Sequence, residues 1–320
     1  MVDTQALTCD LVRVLRAHRS QTALSRRLRY RSNVVYLWES GRRSPTPASF
    51  FWLAHRTGVD VGAALDRFLP ERSTEGGDPW SLPGAARVLQ DLRGQHSAAE
   101  LARHLGCSRH SVARWLRGET EARLPEFFEL VQYCTSGLLD FVALFVDPGQ
   151  LPSVAATWSQ LQAARDLVRE QPWSPAILLA TELAEYRALP AHEPGWIAAR
   201  LGLDLETETR SIALLEAAGQ LRSRDGLWEW VEVQSVDTRT PGRKVDLKRW
   251  WASVALDRIS ADTDGLVSWN LFTVSQADFE RIQGLQRQYY RAVRQVVEES
   301  TDKERLVVAN LSLIALDDQG

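Results

Sequence analysis

The sequence predicts a mainly α-helical protein in which one small helical unit occurs twice. Leu24–Pro45 and Leu101–Leu124 carry the same pattern of apolar, small and basic residues, and matching positions lie 77 residues apart. The matching pairs include Leu15 and Leu92, Leu24 and Leu101, Leu28 and Leu105, Val35 and Val112, Trp38 and Trp115, Gly41 and Gly118, Phe50 and Phe127, Phe51 and Phe128, and Phe68 and Phe145. Because this register extends beyond the motif in both directions, we infer a tandem duplication of residues 1–72 (copy one) and 84–148 (copy two).

Each copy has the pattern of two short helices joined by a turn. In the first helix, a leucine, a small residue and a leucine four positions on form one apolar stripe, and the small residue, Ser25 or Ala102, lets the two helices cross closely. After a break of about three residues, a valine and a tryptophan form the buried face of the second helix. Each copy is therefore predicted to be a helix-turn-helix within a unit of five short helices.

Glycines support this geometry at two points. Gly106 stands in the break of copy two, where a left-handed backbone is often required, whereas copy one has Arg29 at the same position. An arginine in that conformation should cost about 1 kcal/mol relative to glycine. Gly41 and Gly118, which follow the second helices, are typical of helix C-caps.

Copy one resembles the Cro/CI-type helix-turn-helix of bacterial and phage regulators. The resemblance rests on Arg19–Gln21 at the start of the motif, on Trp38–Pro45 at its end, and on Leu53–Ala54 and Gly58–Asp60 beyond it. Copy two is a looser match, because Leu116 stands where the family has glutamate. The resemblance implies sequence-specific binding of double-stranded DNA, with the second helix in the major groove.

Composition separates the copies from each other and from the rest of the chain. Residues 73–83 combine glycine, proline, serine and acidic residues and are predicted to be a linker. Residues 153–235 are predicted to form a winged-helix-like domain, because a third helix-turn-helix pattern is followed by a β-hairpin that turns at Asp225 and Gly226. The second helix of this third motif carries Asp204, Glu206 and Glu208 near its start, which phosphates would repel, so a structural or dimerising role is expected.

A small α+β domain is predicted for residues 245–318. Residues 266–274 and 306–316 have strand-like apolar patterns, and the stretch 275–299 between them is predicted to be a long helix. Together with the winged-helix-like domain, this layout is similar to that of an uncharacterised C-terminal domain attached to helix-turn-helix modules in certain bacterial regulators. That resemblance covers residues 153–318.

The distribution of charge favours nucleic-acid binding, although the net charge of the chain is −3. Between Arg13 and Arg43, nine arginines stand against one acid, Glu39, a balance of +8. Between Arg93 and Arg123, six arginines stand against three acids, a balance of +3. Most charge runs are solvated faces, but concentration on a helix-turn-helix favours contact with phosphates.

The residues expected to contact DNA lie on or beside the second helices. Arginine can bridge guanine O6 and N7, and asparagine can pair with adenine N6 and N7, each contact giving about 1–3 kcal/mol of discrimination. In copy one the base-contacting candidates are Arg31, Ser32, Asn33 and Tyr36, with Gln21, Arg42 and Arg43 on phosphates. In copy two they are Ser108, Arg109, His110 and Arg114, with Arg103 and Arg117 on the backbone.

Signals for enzymes, cofactors and membranes are weak. The sequence contains no GxGxxG, GxxxxGK[ST], HExxH or GxSxG motif, so no catalysis and no cofactor is expected. His104, Cys107 and His110 have a spacing that a metal could use, but they straddle the turn of copy two. Three cysteines without a CxxC pair indicate a reducing compartment, the cytoplasm, and no apolar run approaches the length of about 18 residues that spans a membrane.

These patterns predict a transcriptional regulator in which one chain places two headpieces on successive half-sites about 34 Å apart, or a multiple of that. Because the two sets of base-contacting candidates differ, the operator should be an imperfect repeat. The C-terminal half would form a homodimer, sense an unknown ligand or bind a protein partner. Two alternatives stay open: only copy one contacts DNA and copy two is a protein-contact module, or the chain is a non-enzymatic, antitoxin-like interaction scaffold.

Overall fold

The computed structural model describes residues 2–69, 77–231, 244–261, 266–268 and 270–316. These residues fall into two compact units, one that reaches Gln162 and one that starts at Ala163. The chain is mainly helical, as predicted, and the described residues contain one sheet of two strands. Parts of four expected segments lie outside the described residues: 1 and 70–72 of copy one, 73–76 of the linker, 232–235 of the winged-helix-like domain, and 262–265, 269 and 317–318 of the C-terminal domain.

The first unit contains both copies, and their helices follow the same order. Copy one has α1 (Thr4–Arg16), α2 (Gln21–Arg27), α3 (Val34–Glu39), α4 (Pro47–Thr57) and α5 (Val61–Phe68). Copy two has α6 (Leu82–Arg93), α7 (Ala98–Leu105), α8 (Arg109–Leu116), α9 (Leu124–Thr135) and α10 (Leu138–Ala143), followed by a 3₁₀ helix at Pro148–Gln150. Adding 77 to the bounds of α1–α5 gives the bounds of α6–α10 to within two residues. Because α6 starts at Leu82, the end of the expected linker is already helical.

A polar residue caps the start of each helix in copy one. Its side-chain oxygen accepts a backbone N–H of the first turn, one of the donors that a helix N-terminus otherwise leaves unpaired. The capping residues are Asp3, Ser20, Asn33, Thr46 and Asp60. Ser81, Ser97 and Ser108 have the same role in copy two, so local sequence sets most of the helix starts.

The backbone of the turn confirms the expectation for Arg29. Its φ is +68°, and that of Gly106 is +64°, so both residues adopt the left-handed conformation that only glycine adopts without strain. The break in copy one is longer than expected, because α2 ends at Arg27 and α3 begins at Val34. The reason is local: the cap Asn33 lies two positions later in the repeat than the cap Ser108 of copy two.

The two copies share one hydrophobic core, whose centre is aromatic. Phe50 lies 6.0 Å from Phe128 between ring centroids, and Phe51 lies 6.1 Å from Phe127. Since 50 + 77 = 127 and 51 + 77 = 128, each contact is the other with the copies exchanged, as at the interface of a two-fold dimer. All four rings are fully buried. Helices α1 to α10 therefore enclose a single continuous core. The two copies form a covalently linked pseudo-dimer.

Polar contacts at the ends of α4 and α9 tie the copies together further. The backbone N–H of Leu124 donates to the carbonyl of Pro45 at 2.9 Å. The backbone N–H of Ala48, in the first turn of α4, donates to the carboxylate of Glu121 at 2.9 Å. These bonds satisfy donors at both helix starts and fix the register of the two helices.

The second unit is smaller and contains the winged-helix-like pattern. The unit boundary falls within α11 (Ala155–Glu170), and the elements that follow are α12 (Ser174–Ala180), α13 (Ala184–Arg187), α14 (Trp196–Leu201), α15 (Leu205–Ala217), β1 (Leu221–Arg224), β2 (Leu227–Trp230), α16 (Lys244–Ser260) and α17 (Gln276–Glu299). The hairpin confirms the prediction: Leu221 pairs with Trp230, and Asp225 and Gly226 both have positive φ at its turn. Ile177, Tyr186, Ile197 and Leu215 form the centre of its core.

The strands expected in the C-terminal domain are wrong for the described residues. Residues 266–268, 270–274 and 306–316 have no regular secondary structure, so the described part of this domain is helical rather than α+β. An alternating apolar pattern gives strand propensity, but a strand also needs a neighbouring strand to complete its hydrogen bonds. The side chains of Leu271 and Ile314 are 74% and 71% exposed, so no sheet buries them.

The shared core predicts that the two copies unfold together. Phe128→Ala should lower the free energy of unfolding by roughly 3–5 kcal/mol, as for other buried phenylalanines. Although the substitution lies in copy two, amide hydrogen exchange should also accelerate in α1 to α4 of copy one, because Phe50 loses its partner ring.

The matched control is Tyr133→Ala, which removes an exposed ring from the same helix α9 and should leave exchange in copy one unchanged. Faster exchange restricted to copy two in Phe128→Ala would show that the copies are independently stable.

Candidate nucleic-acid interface

The second helix of each motif presents its predicted face to solvent. Val35 and Trp38 in α3, and Val112 and Trp115 in α8, are buried as the pattern predicts. All of the predicted contact residues except Gln21 are exposed, namely Arg31, Ser32, Asn33, Tyr36, Arg42, Arg43, Arg103, Ser108, Arg109, His110, Arg114 and Arg117. Thus none of the candidates on these helices is turned into the core.

Ser25 and Asn33 hold α3 against α2. The hydroxyl of the buried Ser25 accepts the backbone N–H of Val35 at 3.2 Å and lies 3.2 Å from Oδ1 of Asn33. The same Oδ1 accepts the backbone N–H of Tyr36 at 3.3 Å as the helix cap. A bidentate contact of Asn33 with adenine needs both atoms of its amide, so base contact and helix capping compete for this oxygen.

Gln21 and Glu39 form part of a buried polar network behind the motif. Glu39 is almost fully buried, and its carboxylate accepts Nε of Arg16 at 2.5 Å and Nε2 of Gln21 at 2.5 Å. Arg13 donates to the backbone carbonyl of Glu39 at 2.7 Å and to the carboxylate of Asp10 at 2.8 Å. Gln21 therefore helps to hold the motif together, and its amide reaches a phosphate only if it leaves Glu39.

The remaining arginines make copy one strongly positive. Six exposed arginines on α2, in the turn and just after α3 form no ion pair with an acid in the described part of the chain, and they are Arg26, Arg27, Arg29, Arg31, Arg42 and Arg43. The guanidinium carbon of Arg42 lies 5.5 Å from the ring centroid of Tyr36, a cation–π contact. Arg42, which is predicted to contact a phosphate, therefore lies beside Tyr36, which is predicted to contact a base.

Copy two differs from copy one in its electrostatics. Arg103, Arg109 and His110 are exposed, as expected, but Arg117 donates to both carboxylate oxygens of Glu119, at 2.6 Å and 3.2 Å. Arg114 lies 3.5 Å from the same carboxylate. The hydrogen bond from Arg117 lowers the pKa of Glu119 below its ordinary value, with further contributions from the charges of Arg117 and Arg114, so this carboxylate is ionised near neutral pH.

Sequence reasoning missed Glu119 and two arginines. Since 42 + 77 = 119, Glu119 occupies the repeat position of Arg42 and reverses its charge. That signal was available from the alignment of the copies. Arg26 and Arg27 are exposed on α2, the first helix of the motif, without an ion pair in the described residues; the charge balance included them, but the candidate contacts did not.

The suggested metal ligands of copy two do not converge. The ring of His104 stacks on Tyr133 with 4.2 Å between centroids. Cys107 is half-buried, and His110 is exposed in the first turn of α8. Across the described residues, no three histidine, cysteine or acidic side chains are grouped as a metal would require.

Two of the acids of the third motif have internal roles. Asp204 caps α15 and accepts the backbone N–H of Thr207 at 2.6 Å. Glu208, one of the acids expected to repel phosphates, is buried, and its carboxylate accepts the backbone N–H groups of Gly195 and Ala198 at the start of α14. Glu208 thus joins α15 to α14 and compensates unpaired donors at a helix N-terminus.

Comparison with known proteins gives one finding. No curated protein and no solved structure matches the chain. Within the described residues, no helix has the length and apolarity that crossing a bilayer requires. A family model described as "Domain of unknown function (DUF4423)" matches residues 154–316, slightly more than half of the chain. The matched region starts near α11 and contains the winged-helix-like elements, α16 and α17, and on this match the chain belongs to the DUF4423 family.

Proposed function

We propose that this protein is a sequence-specific regulator of transcription that binds double-stranded DNA through both copies. One observation carries the proposal: the shared core of α4 and α9 holds two exposed second helices in one rigid unit. Regulators of this class usually pair two helix-turn-helix motifs by dimerisation. Here one chain supplies the pair, so the entropy of bringing two motifs together is not lost on binding.

The charge of copy one supports contact with phosphates. Six exposed arginines surround α2 and α3 without an ion pair in the described residues, and each phosphate contact releases counterions on binding. Three free cysteines, Cys9, Cys107 and Cys134, agree with a reducing compartment, and we place the protein in the cytoplasm, where bacterial DNA lies.

The charge of copy two supports a weaker contact. Glu119 lies where copy one has Arg42, and it pairs with Arg114 and Arg117, two of the residues proposed to contact DNA. This observation also favours the alternative in which copy one alone contacts DNA and copy two binds a protein. Separate substitutions in the two copies distinguish the two proposals.

Selection of bound duplexes from a random pool tests whether both copies contact bases. Arg31→Ala and Arg109→Ala should each weaken binding of the selected sequence by about 1–3 kcal/mol and should relax preference at different base positions. The measurement is selection followed by sequencing with the full-length protein and each variant.

Arg67→Ala is the matched control, since it removes an exposed arginine from α5, outside the motif, and should leave the preferred sequence intact. If Arg109→Ala preserves preference and affinity while Arg31→Ala does not, copy two is the protein-contact module. If both variants keep the affinity and the sequence preference of the unmodified protein, the proposal that both copies contact bases is refuted.

Removing the charge of Glu119 should strengthen DNA binding. In Glu119→Gln, Arg114 and Arg117 lose their anionic partner and become available to phosphates. Affinity should rise by about three- to tenfold, and the slope of log K against log salt should steepen by about 0.9 for each phosphate gained. Titration at several salt concentrations measures both effects.

Asp78→Asn makes the same change of charge at an exposed position before α6. It should raise affinity less than Glu119→Gln does and leave the salt slope unchanged. Equal effects of the two substitutions would mean that only net charge matters.

We also propose that the C-terminal half forms a homodimer. Apolar side chains of α17 repeat along one face and are largely exposed: Leu285 by 58%, Tyr289 by 55% and Val296 by 67%. An exposed apolar surface of this kind marks a protein contact.

The double substitution Leu285→Lys and Val296→Lys should turn a dimer into a monomer in sedimentation velocity, whereas Leu205→Lys, at an exposed leucine of α15, should not. A monomeric unmodified protein would refute this proposal.

A further inference from the structure

A cleft of about 420 Å³ opens on copy one beside the turn between α2 and α3. It is shallow and open to solvent, so a ligand would lie along its surface. It is lined by Arg29, Tyr30, Ala48, Ser49, Trp52 and Trp80. The lining thus combines a cation, two hydroxyl groups and three aromatic rings.

Two tryptophans form an aromatic wall. The ring centroids of Trp52 and Trp80 are 6.0 Å apart, and the rings are tilted by 49°. His55 stacks on Trp80 at 4.1 Å and on Trp52 at 5.6 Å, which supports the wall from one side. Both tryptophans are only partly buried, and the guanidinium carbon of Arg56 lies 5.3 Å from the ring centroid of Trp52. Trp80 is therefore the ring on which a flat ligand would stack.

Polar groups stand beside this wall. The hydroxyl of Tyr30 lies 3.2 Å from that of Ser49, which is also 3.1 Å from the hydroxyl of Thr46. Arg29 is exposed and has no ion pair with an acid in the described residues. Its left-handed backbone, φ +68°, is strained for a side chain with a Cβ, and such strain is often found at functional sites.

The repeat shows that the fold does not require these residues. At the positions 77 residues later, copy two has Gly106 for Arg29, Cys107 for Tyr30, Glu126 for Ser49 and Glu129 for Trp52. The helices of the two copies nevertheless have matching bounds. The cation and the Trp52 side of the aromatic wall are therefore specific to copy one, and Trp80 comes from the segment before α6.

We propose that this cleft binds a small ligand with a flat aromatic ring and an anionic group, the chemistry of a nucleoside monophosphate. The ring stacks on Trp80, with Trp52 beside it at an angle, and the phosphate pairs with the guanidinium of Arg29. The hydroxyls of Tyr30 and Ser49 hydrogen-bond the sugar or the phosphate. This site is separate from the proposed contacts with DNA. Ligand binding can therefore be measured in the absence of DNA.

Equilibrium dialysis of the full-length protein with radiolabelled adenosine 5′-monophosphate tests the proposal. One molecule should bind per chain, and adenosine or inorganic phosphate should compete at least about tenfold less well, because each offers half of the recognised chemistry. Trp80→Ala and Arg29→Gly should each weaken binding by about tenfold or more. Arg67→Ala removes an exposed arginine of α5 that does not line the cleft and should bind as the unmodified protein does.

Thermal unfolding separates loss of the site from loss of the fold. Arg29→Gly relieves the left-handed strain, so its melting temperature should equal or exceed that of the unmodified protein while ligand binding falls. No binding of adenosine 5′-monophosphate at millimolar concentration overturns the proposal. Unchanged binding in both Arg29→Gly and Trp80→Ala, or equal binding of adenosine and its monophosphate, overturns it as well.

Discussion

The packing of α4 against α9 is the interaction on which the first unit depends. Phe50 and Phe51 meet Phe128 and Phe127 in two contacts that exchange the copies, and the core continues through both copies without a break. A five-helix unit of this size would bury a limited apolar core by itself, and domains of about 60 residues are marginally stable. The duplication resolves this, because each copy completes the core of the other.

A rigid pair leaves the surfaces free to differ. The buried positions of the motif hold valine and tryptophan in both copies, whereas the exposed position after the second helix holds Arg42 in one copy and Glu119 in the other. Likewise, Trp52 and Glu129 occupy one repeat position on α4 and α9. The shared core therefore maintains the geometry, and the different surfaces give copy one a stronger positive field and an aromatic cleft of its own.

The acids of the second unit show how context decides the role of a charge. Asp204 and Glu208 stand at the start of a helix that has the place of a second motif helix, and from the sequence both would repel phosphates. In the structure Asp204 caps α15, and Glu208 is buried against the N–H groups of α14. Burial of a carboxylate is possible there because several donors surround it. The carboxylate of Glu208 thus joins α15 to α14 instead of facing a phosphate.

The sequence by itself determined the helical class, the 77-residue repeat, the buried faces of α3 and α8, the strained turn at Arg29 and the hairpin at Asp225 and Gly226, because spacing, capping and turn chemistry act over a few residues. The fusion of the copies through Phe51 and Phe127 and the inward turn of Glu208 were decided only by the tertiary structure. So was the absence of strands in the described residues of 266–274 and 306–316. Each of these depends on which separate segments of the chain meet, and no local pattern can specify that pairing.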